Sequence, residues 1–234
     1  MKTNLKTRRG FTLVELLVVI VIIASLAGLT APMVIRQRKK ADQTQAVNNA
    51  RQIGFAMFEF ESEYGRFPDS NSANEVMINT ETTVPMTGTD SNSYFRQLMG
   101  AGYTQSEAMF YAKVPGSKKP DGNIESTSAL DTGEVGFGYI LAGTNGISTA
   151  GNPARPYVVT PLLGTSGDQF DKDPFDGKAV ILRIDNSVTS LQILPSTKKI
   201  NLSPGNDLLK VGPSTVWGNS TSGAPTLAFP KLNF

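Results

Sequence analysis

Two residue types on which much enzyme chemistry depends are missing from the 234-residue chain, which contains neither cysteine nor histidine. Without cysteine, disulfide bonds, thiol nucleophiles and thiolate metal sites are excluded. Without histidine, the chain lacks the usual general base, the Ser-His-Asp arrangement and the ligand that most zinc sites use. These two absences argue against a hydrolase, and we expect no enzyme activity.

The chain also has little net charge, because 22 basic and 20 acidic side chains give a formal charge of +2. This balance gives no reason to expect a nucleic acid as a partner. The distribution is uneven, however: residues 1–10 contain no acid and four basic residues, Lys2, Lys6, Arg8 and Arg9.

A 25-residue apolar run from Phe11 to Ile35 follows, and its one charged residue is Glu15. A helix of this length reaches ~37 Å, enough to cross ~30 Å of hydrocarbon. A secretory signal cut near Ala27 or Ala31, or a twin-arginine signal, would share the basic start. The apolar part of a secretory signal is usually only ~7–15 residues long, however, and neither alternative explains a carboxylate that costs ~2.5–3.5 kcal/mol in a membrane.

The junction between the basic and apolar segments resembles the prepilin-type signal of type IV pilins and type II secretion pseudopilins. The residues that carry this resemblance are Arg9-Gly10-Phe11-Thr12-Leu13-Val14-Glu15. The resemblance implies that a prepilin peptidase cuts between Gly10 and Phe11 and that Phe11 becomes N-methylated. The apolar segment then stays in the mature protein.

Cleavage explains why Glu15 is tolerated. It creates an ammonium on Phe11, four residues before Glu15, and opposite charges in an apolar medium can neutralise each other. The resemblance implies that Glu15 also pairs with the ammonium of a neighbouring subunit and so sets the axial register of a filament. A buried ion pair is well suited to specifying register.

Pro32 lies one turn after Gly28, and two interpretations remain open. The helix ends at Pro32, or it continues with a kink that the family resemblance favours. Arg36, Arg38, Lys39 and Lys40 follow, so both flanks of the apolar run carry four basic residues and charge alone does not orient it. The resemblance implies that residues 1–10 are cytoplasmic and that the bulk of the chain is outside the cytoplasm.

A helix stripe continues beyond the basic residues. Its apolar members, at spacings of three and four, are Ala46, Ala50, Ile53, Met57, Phe60 and Tyr64, and Phe55 and Phe58 add a second apolar edge. We predict one bent helix from about Phe11 to about Glu63 that ends at Gly65-Arg66-Phe67-Pro68. This helix end resembles the "NGRYP"-like segment of major pseudopilins.

The predicted organisation has four parts: a cleaved leader (1–10), a membrane and assembly half of the helix (11–35), an amphipathic half (36–66) and a globular head (67–234). Residues 69–93 and 113–133 are expected to be loops, and residues 94–111 to contain short helix. Strands are predicted at 135–141, 156–163, 178–184 and 188–194, with a hairpin turn at 185–187. The expected fold is α+β and pilin-like, with a long bent helix packed on a small antiparallel sheet.

Four aspartates lie within nine residues of one predicted loop, at Asp168, Asp171, Asp173 and Asp176. Closely spaced oxygen ligands suit calcium, although the spacing does not fit an EF-hand. Residues 173–178 resemble the "DPWGNP" motif of major pseudopilins, a family with a calcium site in a head loop. Either calcium binds these aspartates, or they form a solvated acidic turn; no other cofactor is expected.

The resemblance implies a structural subunit that polymerises with its own copies into a type II secretion pseudopilus. Its partners would be the prepilin peptidase, an inner-membrane assembly platform, an ATPase and an outer-membrane secretin. The precursor would cross the inner membrane once, and the filament would be periplasmic or at the cell surface. The alternatives are a type IV pilin for adhesion, motility or DNA uptake and an exported soluble binding protein.

Overall fold

A computed structural model describes residues 11–124, 128–219 and 223–233. It has three α-helices: α1 (Leu13–Tyr64), α2 (Ser70–Thr80) and α3 (Ser91–Gly100). A short 3-10 helix (Glu107–Phe110) follows. The strands are β1 (Gly138–Ala142), β2 (Pro156–Thr160), β3 (Lys178–Arg183), β4 (Val188–Gln192), β5 (Asn201–Ser203), β6 (Asn206–Asp207) and β7 (Pro225–Ala228).

The chain divides into two compact units, residues 1–38 and residues 39–234, so α1 contributes to both. The predicted single helix is confirmed, with its end within one residue of the expected position. In the first unit the large apolar side chains of α1 are exposed, whereas in the second unit the apolar stripe is buried.

The core of the second unit contains the whole predicted stripe. Its six buried members on α1 are Ala46, Ala50, Ile53, Met57, Phe60 and Tyr64. The second apolar edge was predicted only half correctly. Phe58 is partly buried and its ring lies 6.1 Å from that of Phe67, but Phe55 is 60% exposed. The reason is geometric, because Phe55 lies on the opposite side of the helix from the stripe.

A five-stranded antiparallel sheet with the order β4-β3-β2-β1-β7 forms the other layer of the core. Helix α1 meets this sheet closely at Gly54, where a side chain would collide with the Asn186 amide and lie 3.1 Å from the Tyr157 hydroxyl. The amide of Gln43 also donates to Ser190 Oγ on β4 at 2.7 Å. The predicted α+β arrangement of a long helix on a small antiparallel sheet is therefore confirmed.

Four of the strands were expected, and they are shorter than predicted. The segment 135–137 precedes β1 without strand pairing, while Asn186, with φ of 61°, makes the predicted turn between β3 and β4. Strand β7 and the β5–β6 hairpin were not predicted. Strand β7 pairs with β1, which lies far away in sequence, so no local sequence pattern predicts it.

The prediction that 69–93 is a loop was wrong for its first half, where α2 forms. Asp69 caps this helix by accepting hydrogen bonds from the backbone N–H groups of Asn71 and Ser72, both at 2.8 Å. Ala73 and Val76 are buried beneath it. A good cap and two buried contacts outweigh a mostly polar sequence.

Candidate assembly site

The first turn of α1 holds Glu15 in a reciprocal pair of hydrogen bonds with Thr12. Glu15 Oε2 accepts from Thr12 N at 2.9 Å and from Thr12 Oγ1 at 2.7 Å. In return, Glu15 N donates to Thr12 Oγ1 at 3.2 Å. This is a capping box, in which the side chains at both ends satisfy backbone groups that the helix leaves open.

One oxygen of the Glu15 carboxylate is left for another donor. Both bonds from Thr12 end on Oε2, and no donor in the described part of the chain bonds to Oε1. An ionised carboxylate offers about four acceptor positions on its two oxygens. Glu15 can therefore cap its own helix and bind a cation at the same time.

The signal for this arrangement was present in the sequence and was missed. Thr12 and Glu15 are spaced as the ends of a capping box that directly precedes an apolar run.

Of the two residues at the predicted cleavage site, Gly10 lies outside the described residues. Phe11 precedes the helix and is 79% exposed.

The large apolar side chains that follow Glu15 on α1 are exposed in the described part of the first unit. Helix α1 is long and apolar enough here to cross a membrane. Its few hydroxyl groups are satisfied internally, since Ser25 donates to Val21 O at 2.8 Å and Thr30 donates to Leu26 O at 3.0 Å. Such a surface is suited to lipid or to the apolar helix of another subunit.

Gly28 and Pro32 both lie inside α1, which continues through them to Tyr64. The interpretation that the helix ends at Pro32 was therefore wrong. A proline inside a helix removes one backbone hydrogen bond, which weakens the ladder locally. The predicted kink at Gly28 and Pro32 stays a prediction.

A tightly bonded corner joins the end of α1 to the head. Gly65 ends the helix with φ of 73°, as predicted, and Phe67 is fully buried. The buried Asp69 carboxylate accepts from Gly146 N at 3.0 Å and lies 3.2 Å from Arg66 Nε. Because Asp69 also caps α2, one carboxylate fixes three segments, and the helix-end motif has a structural role.

The four aspartates of the predicted calcium loop lie in different local environments. Asp168 pairs with Lys199 at 2.8 Å and Asp173 pairs with Lys39 at 2.7 Å. Asp171 Oδ1 accepts from Asp173 N at 3.0 Å, and Asp176 adopts a left-handed turn conformation with φ of 52°. Calcium binding at this loop stays a prediction.

In the part of the chain that the structure describes, one group of three carboxylates is close enough to share a cation, and it lies elsewhere. The oxygens of Glu107, Asp121 and Glu134 come within 4.8 Å of one another. Backbone N–H groups already bond to the two buried members. Leu130 N donates to Glu107 at 2.7 Å and Asp131 N donates to Glu134 at 2.7 Å.

Burial raises the pKa of Glu107, and the nearby charge of Glu134 adds to this effect. Sequence reasoning did not find this group, because its members are separated by loop segments with no characteristic spacing. Two buried acids at this distance disfavour each other's charged form.

Comparison with known proteins supports the resemblance at the N-terminus. Residues 5–31 match the family model of the prokaryotic N-terminal methylation motif. This segment includes the predicted cleavage site, Glu15 and most of the apolar run.

The chain is also similar to several proteins called type II secretion system core protein G. It is 29% identical to the one from Dickeya chrysanthemi over 154 residues, which are 63% of this chain and 99% of that protein. It is 32% identical to the Escherichia coli K12 protein over 39% of this chain and 63% of that protein. For the Aeromonas hydrophila protein the identity is 32% over 34% of this chain and 56% of that protein. No solved structure matches the chain significantly.

Proposed function

We propose that the chain is a structural subunit of a type II secretion pseudopilus. It is made as a precursor, cut between Gly10 and Phe11, methylated on Phe11 and polymerised through α1. The observation that carries this proposal is the methylation motif at residues 5–31, which includes Glu15 and most of the exposed apolar run of α1. The similarity to proteins named type II secretion system core protein G supports the choice of filament.

The chemistry of assembly rests on Glu15 and the new N-terminus. In an apolar environment a lone ammonium on Phe11 is costly, and Glu15 Oε1 is open to accept from it. An incoming subunit whose Glu15 meets the ammonium of the subunit before it neutralises both charges. The apolar surfaces of the two helices then pack together and leave the lipid.

The partners follow from this route. A prepilin peptidase cuts the precursor, an assembly platform and an ATPase in the inner membrane add the subunit, and the filament acts beneath an outer-membrane secretin. The chain would cross the inner membrane once through the first half of α1, with residues 39–234 outside the cytoplasm.

A surface type IV pilus is the second candidate, and the size of the head favours it. The alignment that covers 99% of the Dickeya protein covers only 63% of this chain, so much of the head has no counterpart there. Additional head surface is a feature that a pilus displayed outside the cell can use for adhesion.

Deletion of the gene in the native host separates the two candidates. We expect exported proteins to accumulate in the periplasm and to disappear from the medium. Expression of the unmodified chain should restore their secretion. Unchanged secretion together with loss of surface filaments would overturn the pseudopilus and favour the type IV pilus. A Gly10→Glu variant is a matched control, since it should block both processing and restoration.

A further inference from the structure

The outer half of α1, residues 39–64, has a solvent-facing side with one large apolar residue. Phe55 is 60% exposed and is among three large hydrophobic side chains exposed in the described part of the second unit. Arg51 lies one turn before it and Glu59 one turn after it, and both are exposed. We call these three residues the Phe55 face.

The two charges of the Phe55 face are unused within the described chain. Neither the Arg51 nor the Glu59 side chain has a hydrogen bond or an ion pair with another described residue. By contrast, neighbouring charged side chains on α1 are engaged, since Asp42 pairs with Lys113 at 2.9 Å and Glu61 accepts from Thr149 N at 2.7 Å.

The surroundings of the Phe55 face would let a second helix approach. Between Ala41 and Ser62 no other exposed residue of α1 is charged. The exposed residues of that stretch besides the Phe55 face are small or carry neutral polar groups: Ala41, Thr44, Gln45, Asn48, Gln52 and Ser62. No like charges therefore oppose a parallel copy of the same helix.

We propose that the Phe55 face binds the Phe55 face of a second copy of this chain in the filament, a contact that rests on the proposed function. Arg51 and Glu59 are eight residues apart, which is ~12 Å along a helix. Two parallel copies offset by about this distance place Arg51 of the upper copy beside Glu59 of the lower copy. The Phe55 ring of the lower copy then packs beside Asn48 and the alkyl part of Arg51 of the upper copy.

The direction of this offset agrees with that of the N-terminal pair. When Glu15 of the lower copy meets the ammonium of the upper copy, an acid of the lower copy again binds a cation of the upper one. That pair requires an offset of ~6 Å between backbones, and the Phe55 face requires ~12 Å. Both contacts thus place the acid on the lower copy and the cation on the upper copy.

Cysteine cross-linking in assembled filaments tests the contact directly, because the chain has no cysteine of its own. The variant with Arg51→Cys and Glu59→Cys should form a ladder of disulfide-linked multimers under mild oxidation. An internal disulfide is excluded, since ~12 Å exceeds the ~4.4–6.8 Å between the Cα atoms of a disulfide. Each single variant should give no ladder. A control pair on the same side of α1 but ~22 Å apart, Thr44→Cys with Glu59→Cys, should give none either.

Charge reversal adds a second readout. Arg51→Glu alone and Glu59→Arg alone should each lower filament yield, and the double reversal should restore it. Filaments without a ladder from the Arg51 and Glu59 pair, or equal ladders from the control pair, would overturn this contact while leaving the proposed function intact. Failure of the unmodified chain to form any filament would overturn the proposed function and this contact with it.

Discussion

The two halves of α1 use apolar side chains in opposite ways. From Leu13 to Ile35 they are exposed and cover the helix on all sides, whereas from Ala46 to Tyr64 they form one buried stripe. The first half therefore depends on lipid or on other subunits, and the second half depends on the head of its own chain. One continuous helix thus combines an assembly surface with a core element.

The distribution of acids follows the same division. Glu15 is alone in an apolar run, where a charge without a partner is costly. In the second half of α1, Asp42 pairs with Lys113 and Glu61 accepts from Thr149 N, whereas Glu59 of the Phe55 face has no such partner among the described residues. Changes in the first half should therefore affect assembly, and changes in the buried stripe of the second half should affect folding.

The largest effect is expected at Glu15. Glu15→Gln keeps a side chain that can complete the capping box but cannot neutralise the Phe11 ammonium. Because an unpaired buried charge costs about 3–5 kcal/mol, filament yield should fall more than about tenfold. The yield is measured by immunoblot of sheared filaments, and near-UV circular dichroism of the full chain in detergent should be unchanged.

Thr12→Ala is the matched control for that variant, because it removes the cap and keeps the charge. A lost N-cap costs about 1 kcal/mol, so the yield should fall much less than with Glu15→Gln. An equal loss of filaments with both variants would mean that Glu15 acts through the capping box alone.

Phe60 and Phe55 give the clearest contrast within the outer half. Phe60 is fully buried, stacked on Tyr64 with 4.4 Å between ring centroids. Phe60→Ala should lower the free energy of unfolding by about 3–5 kcal/mol. Phe55→Ala should change it by less than about 0.5 kcal/mol, as is usual for surface substitutions. Chemical denaturation of the full chain in detergent measures both, and similar losses would contradict the assignment of the two faces.

Asp69 should show a smaller effect at the corner between α1 and α2. Asp69→Ala removes the cap of α2 and leaves Arg66 and Gly146 N without their shared acceptor. We expect a loss of about 2–4 kcal/mol of unfolding free energy, since a cap and a buried hydrogen-bond partner are lost together. Asp69→Asn, which keeps a capping oxygen, should lose less; equal losses would show that capping is not involved.

The smallest effect expected is a pH dependence from Glu107. Its pKa is raised above 4.5 in the folded chain, mainly by burial, so the folded state holds this proton more tightly than the unfolded state. The free energy of unfolding should therefore fall as the pH rises from 4.5 through the raised pKa. The difference between the unmodified chain and Glu107→Gln, measured by denaturation across this range, should show that fall. A difference that does not change with pH would contradict the raised pKa.

Sequence reasoning predicted the parts of this molecule that depend on local patterns. The apolar run and the three-and-four spacing from Ala46 to Tyr64 predicted α1, and Gly65 marked its end. The turn at Asn186 was visible because Asp185-Asn186-Ser187 separates two segments that contain β-branched and aliphatic residues.

The rest depends on contacts between distant residues. Helix α2 has few apolar residues, and Asp69, which caps it, also accepts a hydrogen bond from Gly146, far along the chain. Strand β7 exists through its pairing with β1, and Glu107 meets Glu134 across a loop. The exposure of Phe55 follows from its position on the opposite side of the helix from the buried stripe. The capping box at Thr12 was a local signal that was missed, as was the capping residue Asp69 before α2.

The most direct test is the N-terminal peptide of the mature protein, measured by mass spectrometry of a membrane fraction from the native host. A chain that starts at N-methylated Phe11 is the predicted result, because it retains the apolar helix and creates the partner of Glu15. A chain that starts near Gly28 or Pro32 would mean that the apolar run is a discarded signal peptide. That result would contradict assembly through α1 and leave a soluble exported head.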